Sequence, residues 1–326
     1  MKTNKKIYLI IFLVFFFQLF SSEVVRAAEY PDKPIKFLVG YVPGSVADLG
    51  ARIIAKVASK HLDKPLVVVN MPGASSTVSL NELAKSPPDG HTIAWMASTY
   101  KSLTVHQQKI PFDPKILKPL LGYAEFRFVL FVQGGSPYAR LEDFIAYGQK
   151  NPGAIKYGHS GKGATNHLTG MLFFRSANIN AIDVPYQGTA EFIQAVIGGH
   201  IMAGVLDVSG IKQHVSAGTL KPVVALVRQR LKELPEVPTP QEKGYADVSS
   251  LNTIICVTIH RDTSLDRVTK LHDALKKTVE DPDFVKMMDE IGQKSGYISP
   301  GNLEEAISKS EKAGVPLLKE LGLFVE

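Results

Sequence analysis

The 326-residue chain is 45% hydrophobic and 21% charged, with a formal net charge of +6. This is the composition of an ordinary globular protein, and it excludes a disordered or low-complexity chain. Once residues 1–27 are set aside, 33 basic and 30 acidic side chains remain, and no basic run with interleaved aromatic residues is left. The mixed charge gives no support to a role in nucleic-acid binding.

The N-terminus predicts export. Three lysines stand in the first six residues, an apolar run follows from Ile7 to Phe20, and Val25 and Ala27 supply small residues at the cleavage positions. The run is shorter than the roughly 20 residues that span a bilayer. We therefore interpret residues 1–27 as a secretory signal peptide, with a retained signal anchor as the alternative, and expect a mature periplasmic chain from Ala28.

Cys256 is the only cysteine, and it lies in an apolar segment. It cannot form an intramolecular disulfide, and it is far from the position of a lipid-attached cysteine. We expect it to be a buried small hydrophobic residue. An exported chain without disulfides is typical of a bacterial periplasmic protein whose core is large enough to stabilise it.

After the signal, short apolar strands alternate with helical patterns. Strands are predicted at Ile35–Val39, Leu66–Val69 and Thr92–Ala97, and apolar residues recur at helical spacing from Leu49 to Leu62. This β-α-β-α-β order favours a parallel sheet covered by helices.

A second series follows the long apolar run Phe126–Val132. Helical patterns at Asn166–Ser176 and Ala190–Ile197 separate its strands. These strands are predicted at Ile155–Gly158, Ala181–Val184, Ile201–Leu206 and Pro222–Val227.

The last part of the chain begins with a proline-rich polar segment at 232–247. A strand is predicted at Thr253–Ile259, followed by two long helices near 264–292 and 302–322. Two α/β series joined by one apolar segment predict two lobes, between which the chain crosses twice. The cleft between the lobes is the expected ligand site.

The first candidate binding segment, Gly40–Asp48, follows the first strand. Ser45 and Asp48 have the spacing of a capping box that opens a helix. Backbone N–H groups at a helix start carry positive partial charge and can bind a carboxylate or phosphate. An ordinary helix cap without a ligand is the alternative.

The second candidate segment, Gly158–His167, contains three glycines that allow a ligand to approach the backbone, and Ser160 and Thr165 add hydroxyl groups. The segment departs from two catalytic motifs. Lys162 replaces the last glycine of a Gly-x-Ser-x-Gly nucleophile elbow. Lys156 stands where a P-loop needs its first glycine.

Two further segments end predicted strands, Asp183–Thr189 and Asp207. Ligands of α/β proteins bind at the carboxyl ends of parallel strands. Asp207 is therefore predicted either to contact an amine or hydroxyl of the ligand or to cap the next helix. His159 and His167 have no third ligand at a metal-like spacing, and we expect no metal.

In this order, the segments resemble the Bug family, the extracytoplasmic solute receptors of tripartite tricarboxylate transporters. The match is collinear over about residues 29–326 and is specific as a set. The segments that carry it are Tyr30–Ile35, Val69–Ala74, Pro87–Thr92, Tyr157–Gly163, Asn166–Leu168, Val184–Gly188 and Leu234–Thr239.

The resemblance implies a two-lobed periplasmic-binding-protein fold of the type II, Venus flytrap kind, each lobe a mainly parallel sheet flanked by helices. Lobe I is expected at 28–125 and 255–326 and lobe II at 126–254, in a monomer without cofactor. Gly44, Asp48 and His167 are expected to shape the loops. The implied ligand-binding residues are Tyr41, Val42, Ser45, Ala47, Ser98, Thr99, His159, Ser160, Gly161, Gly163, Ala164, Thr165 and Asp207.

The sequence departs from the family pattern near the predicted pocket. The family usually has glycine at Ser45, threonine at Ala47, two glycines at Ser75-Ser76, serine at His159 and a tryptophan near Asn252. Because these changes fall on or near the pocket, the sequence does not define the ligand.

The leading functional prediction is a periplasmic receptor, not an enzyme. It would capture a small mono-, di- or tricarboxylate, aromatic ones included, for the membrane subunits of a tripartite tricarboxylate transporter. One alternative is a periplasmic hydrolase that uses Ser160 and His167, which turnover of esters or amides would reveal. The other is a carboxylate sensor for a signalling partner, which would lack adjacent genes for the transporter subunits.

Overall fold

The structure of the chain is a computed structural model, and it describes residues 30–186, 189–245, 248, 251 and 253–325. The predicted signal peptide, its cleavage before Ala28, and Asn252 lie outside the described residues. Within those ranges, no helix combines the length and the apolar character needed to cross a membrane.

The described residues form two sheets, whose strands we number along the chain. The six strands of lobe I are β1 (Ile35–Val39), β2 (Leu66–Asn70), β3 (Thr92–Ala97), β4 (Leu117–Glu125), β10 (Ile254–His260) and β11 (Ser295–Ile298). Their order across the sheet is β11-β4-β10-β3-β1-β2. Since β1 pairs in parallel with β2 and β3, the carboxyl ends of these three strands share one edge.

The second sheet belongs to lobe II. Its strands are β5 (Phe128–Gln133), β6 (Lys156–His159), β7 (Ile182–Pro185), β8 (Ala203–Asp207) and β9 (Leu220–Ala225), in the order β7-β6-β8-β5-β9. β6 pairs in parallel with β7 and β8, so the carboxyl ends of these strands also share one edge.

Helices cover the faces of both sheets. Those of lobe I are α1 (Val46–Ala58), α2 (Thr77–Lys85), α3 (Ser98–Ser102), α8 (Leu265–Glu280), α9 (Pro282–Glu290) and α10 (Pro300–Glu320). Those of lobe II are α4 (Leu141–Lys150), α5 (Thr165–Ser176), α6 (Thr189–Ile197) and α7 (Val208–Ser216).

Both sheets are mixed, which corrects the expectation of mainly parallel sheets. β10 runs antiparallel to both β3 and β4, and β5 runs antiparallel to both β8 and β9. These strands carry the chain between the lobes, and an antiparallel neighbour needs no crossover helix. Their sequences are continuous apolar runs because helices bury both faces, so the pattern does not reveal strand direction.

Two elements of the C-terminal part also differ from expectation. The helix predicted at 264–292 is two helices, because Pro282 cannot continue α8 and instead begins α9, with Asp281 as the cap. β4 was not predicted, since Pro119 and Gly122 interrupt its apolar pattern.

The chain passes from lobe I to lobe II after β4 and returns before β10. Ile254 already pairs with Glu125 in the six-stranded sheet, one residue before the predicted return at 255. The exact domain limits remain a proposal.

Alternate residues of the central strands fill opposite apolar layers. In lobe I, Phe37 and Trp95 lie in the layer beneath α1, α8 and α9, while Leu38 and Cys256 lie in the layer beneath α2 and α10. Cys256 is completely buried, as predicted, and its Sγ lies 3.1 Å from the Met96 carbonyl oxygen. Burial raises the pKa of this thiol to about 12.

The close packing of lobe II can be tested at Gly204 in β8. A Cβ there would lie 2.5 Å from the Phe131 ring, so we expect Gly204→Ala to lower the free energy of unfolding by about 1–3 kcal/mol. Gly135→Ala is the matched control, because a Cβ at Gly135 meets no atom within 4 Å. Chemical denaturation of both variants measures the difference; equal stabilities would contradict the packing described.

Candidate functional site

The first loop, residues 40–48, joins the carboxyl end of β1 to α1. Ser45 caps α1 by accepting the Asp48 N–H on Oγ at 3.3 Å, and Asp48 Oδ2 accepts the Gly44 N–H at 2.9 Å. Gly44 has a φ of +82°, a left-handed conformation that glycine adopts without strain. The predicted pairing of Ser45 with Asp48 is thus present, except that the Asp48 side chain accepts from the N–H of Gly44 and not from that of the cap residue Ser45.

Asp48 is also held from outside the loop, and its side chain is only 2% exposed. Arg52 donates to it from Nε at 3.0 Å, and Asn70 donates from Nδ2 at 2.9 Å. Burial alone would raise the pKa of the Asp48 carboxyl, but the hydrogen bonds from Arg52, Gly44 and Asn70 together hold that pKa below its ordinary value. Asp48 therefore braces the loop as an ionised group.

The first loop presents backbone donors at the start of α1. Among the described residues, the N–H groups of Val46 and Ala47 have no protein acceptor. Tyr41 and Val42 are exposed, Ser45 is half-buried, and the Ala47 side chain is buried. The loop can thus offer N–H groups and the positive end of a helix to an anion.

α3 follows β3 at the same edge of the lobe I sheet. Ser98 is buried, and its Oγ accepts the Ile254 N–H at 3.0 Å, which joins α3 to the returning strand β10. Thr99 is also buried, and its Oγ1 lies 3.5 Å from Thr165 Oγ1 in lobe II. Thr99 therefore faces the other lobe, whereas Ser98 Oγ binds the returning strand of its own lobe.

The second loop, residues 159–165, joins the carboxyl end of β6 to α5. Gly161 and Gly163 have φ values of +113° and +77°. The Gly163 N–H donates to His167 Nδ1 at 2.9 Å, and its carbonyl accepts from Gln107 Nε2 of lobe I at 2.7 Å. His167 shapes the loop in this way, and Gln107 fastens the loop across the cleft.

Three N–H groups of the second loop have no protein acceptor within the described ranges, those of Gly161, Lys162 and Thr165. The Ala164 N–H turns back to the Gly161 carbonyl at 3.2 Å. Like the first loop, the second can thus supply several N–H donors from a helix start to one anion.

Ser160 is exposed, and its hydroxyl is oriented by Asn166. Its Oγ accepts the Asn166 Nδ2–H at 3.2 Å, which leaves the hydroxyl hydrogen for a ligand. In the part of the chain that the structure describes, no hydrogen bond joins Ser160 to His167. The Ser-His pair that a hydrolase would need is therefore not formed here.

The His159 side chain is completely buried and turns away from the cleft surface, so its predicted contact with the ligand stays a prediction. Its ring stacks on that of His167 with centroids 4.2 Å apart, and its Nε2 lies 3.4 Å from Asp183 Oδ2. Asp183 is also the third potential metal ligand that the sequence spacing did not reveal. β7 pairs beside β6 with Asp183 opposite Tyr157, and this pairing brings the carboxylate within reach.

Asp207 caps α7 and is 6% exposed. Its carboxylate accepts the Arg127 and Ser209 N–H groups and the Gln293 Nε2–H of lobe I. The capping alternative is thus observed. The contact of Asp207 with a ligand stays a prediction.

Ala74, Ser75 and Ser76 have consecutive positive φ values of 45°, 50° and 74° before α2. The resemblance places glycines at two of these positions, and glycine is the residue that adopts this conformation without strain. Ser76 is buried and packs against Gly40, with its hydroxyl close to the Tyr41 side chain. The two serines therefore carry strain next to the first loop.

Comparisons with known proteins agree with this architecture. Residues 50–323 match the family described as tripartite tricarboxylate transporter family receptor. A UPF0065 protein from the gbd 5' region of Cupriavidus necator is 30% identical over 299 residues, covering 91% of this chain and 90% of that protein. Protein BugT of Bordetella pertussis is 29% identical over 227 residues, covering 68% and 69%.

Solved structures show the same fold. A TctC solute-binding protein from Polaromonas matches with a TM-score of 0.78 at 23% identity, covering 89% of this chain and 99% of that one. An R. palustris protein solved with adipate matches with a TM-score of 0.76 at 24% identity, covering 90% and 99%.

The fold and the two loops define a two-lobed α/β solute-binding protein. The chain belongs to the tripartite tricarboxylate transporter receptor family, and the predicted resemblance to the Bug family is confirmed.

The brace at Asp48 predicts a stability effect. Asp48→Ala removes three hydrogen bonds from a buried carboxylate, so we expect the free energy of unfolding to fall by about 2–4 kcal/mol. Asp48→Asn keeps an acceptor oxygen and should lose less. Asp266→Ala, an exposed acid in the first turn of α8, is the control and should change stability by less than about 0.5 kcal/mol. Chemical denaturation at pH 7 measures the free energy of unfolding of the three variants. Equal losses in Asp48→Ala and Asp266→Ala would contradict the role of Asp48 in holding the loop.

The buried histidines predict acid sensitivity. Burial lowers the pKa of His159, and burial together with His159 lowers the pKa of His167 to about 4. The unfolded chain then binds these protons more tightly, so the folded state should lose stability as pH falls from about 6.5 toward 4.

Denaturation at several pH values measures this loss. His167→Asn should flatten the profile in that window, whereas the exposed His200→Gln should leave it unchanged. A wild-type profile that stays flat from pH 7 to 4.5 would contradict the burial of neutral histidines.

Proposed function

We propose that this protein is a periplasmic receptor that binds a small carboxylate in the cleft between its lobes. The observation that carries the proposal is the pair of strand-to-helix loops, one at the carboxyl ends of the parallel strands of each sheet. Each loop presents N–H groups without a protein acceptor at the start of a helix, and the second contacts lobe I through Gly163 and Thr165.

The electrostatics of the two loops favour an anion. The Asp48 carboxylate is neutralised by Arg52 and turned into its own loop, and Lys162 stands exposed at the tip of the second loop. A carboxylate with two acceptor oxygens can take N–H bonds from both loops at once. Contacts made only when the lobes are together would favour a closed, liganded state.

Relatives support this class of ligand. The R. palustris protein of the same fold was solved with adipate, a dicarboxylate. For this chain, the ligand contacts are assigned to the N–H groups of the first loop, to Thr99, and to Ser160, Gly161 and Thr165 of the second loop. The receptor would hand its ligand to the membrane subunits of a tripartite tricarboxylate transporter, as the family name describes.

The hydroxyls of the second loop give a direct test. Ser160→Ala and Thr165→Val should each weaken carboxylate binding by about tenfold to one hundredfold, since a hydrogen bond to a charged group contributes about 1.5–3 kcal/mol. Stability should change little, because Ser160 is exposed and Thr165 is half-buried.

Calorimetry with adipate, succinate and benzoate first identifies a carboxylate that binds the wild type, and the variants are then titrated with it. Ser216→Ala is the control, because this serine is exposed at the end of α7, at the opposite end of lobe II from the second loop. Normal binding by both loop variants would place the ligand elsewhere. No binding of any carboxylate by the wild type would refute the proposed function.

A further inference from the structure

Behind the second loop lies a cluster of His159, His167 and Asp183. The Asp183 Oδ2 lies 3.4 Å from His159 Nε2 and 3.7 Å from His167 Nε2. Both imidazoles are completely buried, and His167 Nε2 has no hydrogen-bond partner within the described residues. The cluster thus gathers three titratable groups beneath a loop assigned to an anionic ligand.

The loop backbone sets the proton positions on both rings. The Gly161 carbonyl lies 2.9 Å from His159 Nδ1 and can only accept, so His159 Nδ1 carries a proton. The Gly163 N–H donates to His167 Nδ1, so that atom is bare and the proton of a neutral His167 is on Nε2. When both imidazoles are neutral, His167 therefore points an N–H at Asp183, whereas His159 points a lone pair at it.

A metal ion fits this arrangement poorly. A ligating His167 would have to bind through Nε2, but the Gly163 N–H already occupies the lone pair on Nδ1, so Nε2 keeps its proton. Only His159 and Asp183 would then have lone pairs for a metal. His159 Nε2 and Asp183 Oδ2 then face each other with a lone pair each, and a proton between them would turn this contact into a hydrogen bond.

We propose that His159, His167 and Asp183 form a one-proton site, and that occupation of this site strengthens carboxylate capture by the second loop. This inference rests on the proposed function. With Asp183 ionised, the cluster without the proton carries one negative charge beneath the loop. The proton removes that charge and turns the His159–Asp183 contact into a charge-assisted hydrogen bond.

The charged and titratable groups that face the cluster determine whether carboxylate affinity rises or falls as pH is lowered. Burial and Lys162 on the loop oppose the charged form of His159, while Asp183 and the Gly161 carbonyl favour it. His159 in turn lowers the pKa of His167, and Tyr157, packed against both rings, is held neutral by burial, which raises its pKa. Burial of His159 lowers its pKa, so the free receptor gains the proton only below about pH 6.5. A bound carboxylate adds a negative charge on the loop side and favours uptake, so affinity should rise as pH falls.

His159 is one of the positions at which this chain departs from the family pattern, since the resemblance places a serine there. Asp183→Asn is the informative variant, because its amide N–H can donate to the His159 lone pair without any added proton. The Asp183→Asn cluster should therefore have the same net charge and the same hydrogen bond as the protonated wild-type cluster at every pH. His159→Ser should remove the site altogether.

The ligand-free protein, labelled with ¹⁵N on histidine, tests the proton site by NMR. At pH 7.5, His159 should carry its proton on Nδ1 and His167 on Nε2, and acidification should protonate His159 Nε2 while the cluster gains one proton. Opposite tautomers, or two independent titrations that Asp183→Asn leaves unchanged, would overturn the proposal. This result does not depend on any ligand.

Calorimetry with adipate, in two buffers of different ionisation enthalpy, tests the coupling. Between pH 7.5 and 5.5, the wild type should bind about threefold to tenfold more tightly and take up a fraction of one proton, within the limit of tenfold per pH unit that one proton allows. At pH 7.5, Asp183→Asn should bind adipate more tightly than the wild type, and at pH 5.5 the two affinities should converge. His159→Ser should lose the proton uptake that the cluster contributes. His200→Gln should keep the wild-type dependence.

The ionisation of adipate itself is common to all variants, so the comparison between them isolates the cluster. Equal pH dependence in wild type, Asp183→Asn and His159→Ser would overturn the coupling while leaving the receptor function intact. Failure of adipate to bind at any pH would overturn the coupling to this ligand. If succinate and benzoate also fail to bind, the proposed function is contradicted, whereas the proton site seen by NMR is not.

Discussion

The backbone of Gly163 is the point on which the cleft depends. Its N–H is held by a buried histidine of its own lobe, and its carbonyl is held by Gln107 of the other lobe. Its φ of +77° is available to glycine without strain, and a Cβ at this position would lie 2.3 Å from Gln107 Nε2. One residue thus links the shape of the second loop, the protonation of the cluster behind it and the contact between the lobes.

The two loops solve the same problem with different chemistry. In the first, an ionised and paired Asp48 holds the turn, so the brace itself adds no free negative charge facing the cleft. In the second, neutral imidazoles do the bracing, and they accept or donate at the backbone of Gly161 and Gly163. Because the pKa values of both histidines are lowered from an ordinary value of about 6.5, the second loop is the one that responds as pH falls below that value, whereas the Asp48 carboxyl, with its pKa also lowered, stays ionised there.

Much of the fold could be predicted from the sequence because apolar runs of four to seven residues mark the strands directly. β1 and β3 lie at the predicted bounds, and β6, β7 and β8 begin or end within two residues of them. Strand direction could not be predicted, since β5 and β10 are buried on both faces and carry no alternation. β4 was missed because Pro119 and Gly122 break its pattern.

The site was predictable in its loops and not in its contacts. Ser45 and Asp48 are close in sequence, so their spacing predicted the helix cap. Three contacts of the loops come from other elements of the fold: those of Gln107, Asn70 and Asp183. They form only because strands pair and the two lobes approach each other. The same holds for His159, whose position in a glycine-rich loop suggested exposure although its side chain turns inward.

Hydrogen exchange of the backbone amides is the sharpest test of a site shared by both lobes, because the ligand is assigned to N–H groups of both loops. Saturation with a carboxylate that binds, such as adipate, should slow exchange in residues 41–48 and 160–166 together. Protection of one loop alone would contradict a site shared between the lobes. Protection confined to the cavity along β9, whose lining includes Arg140, Lys221 and Glu236, would contradict the location of the site altogether.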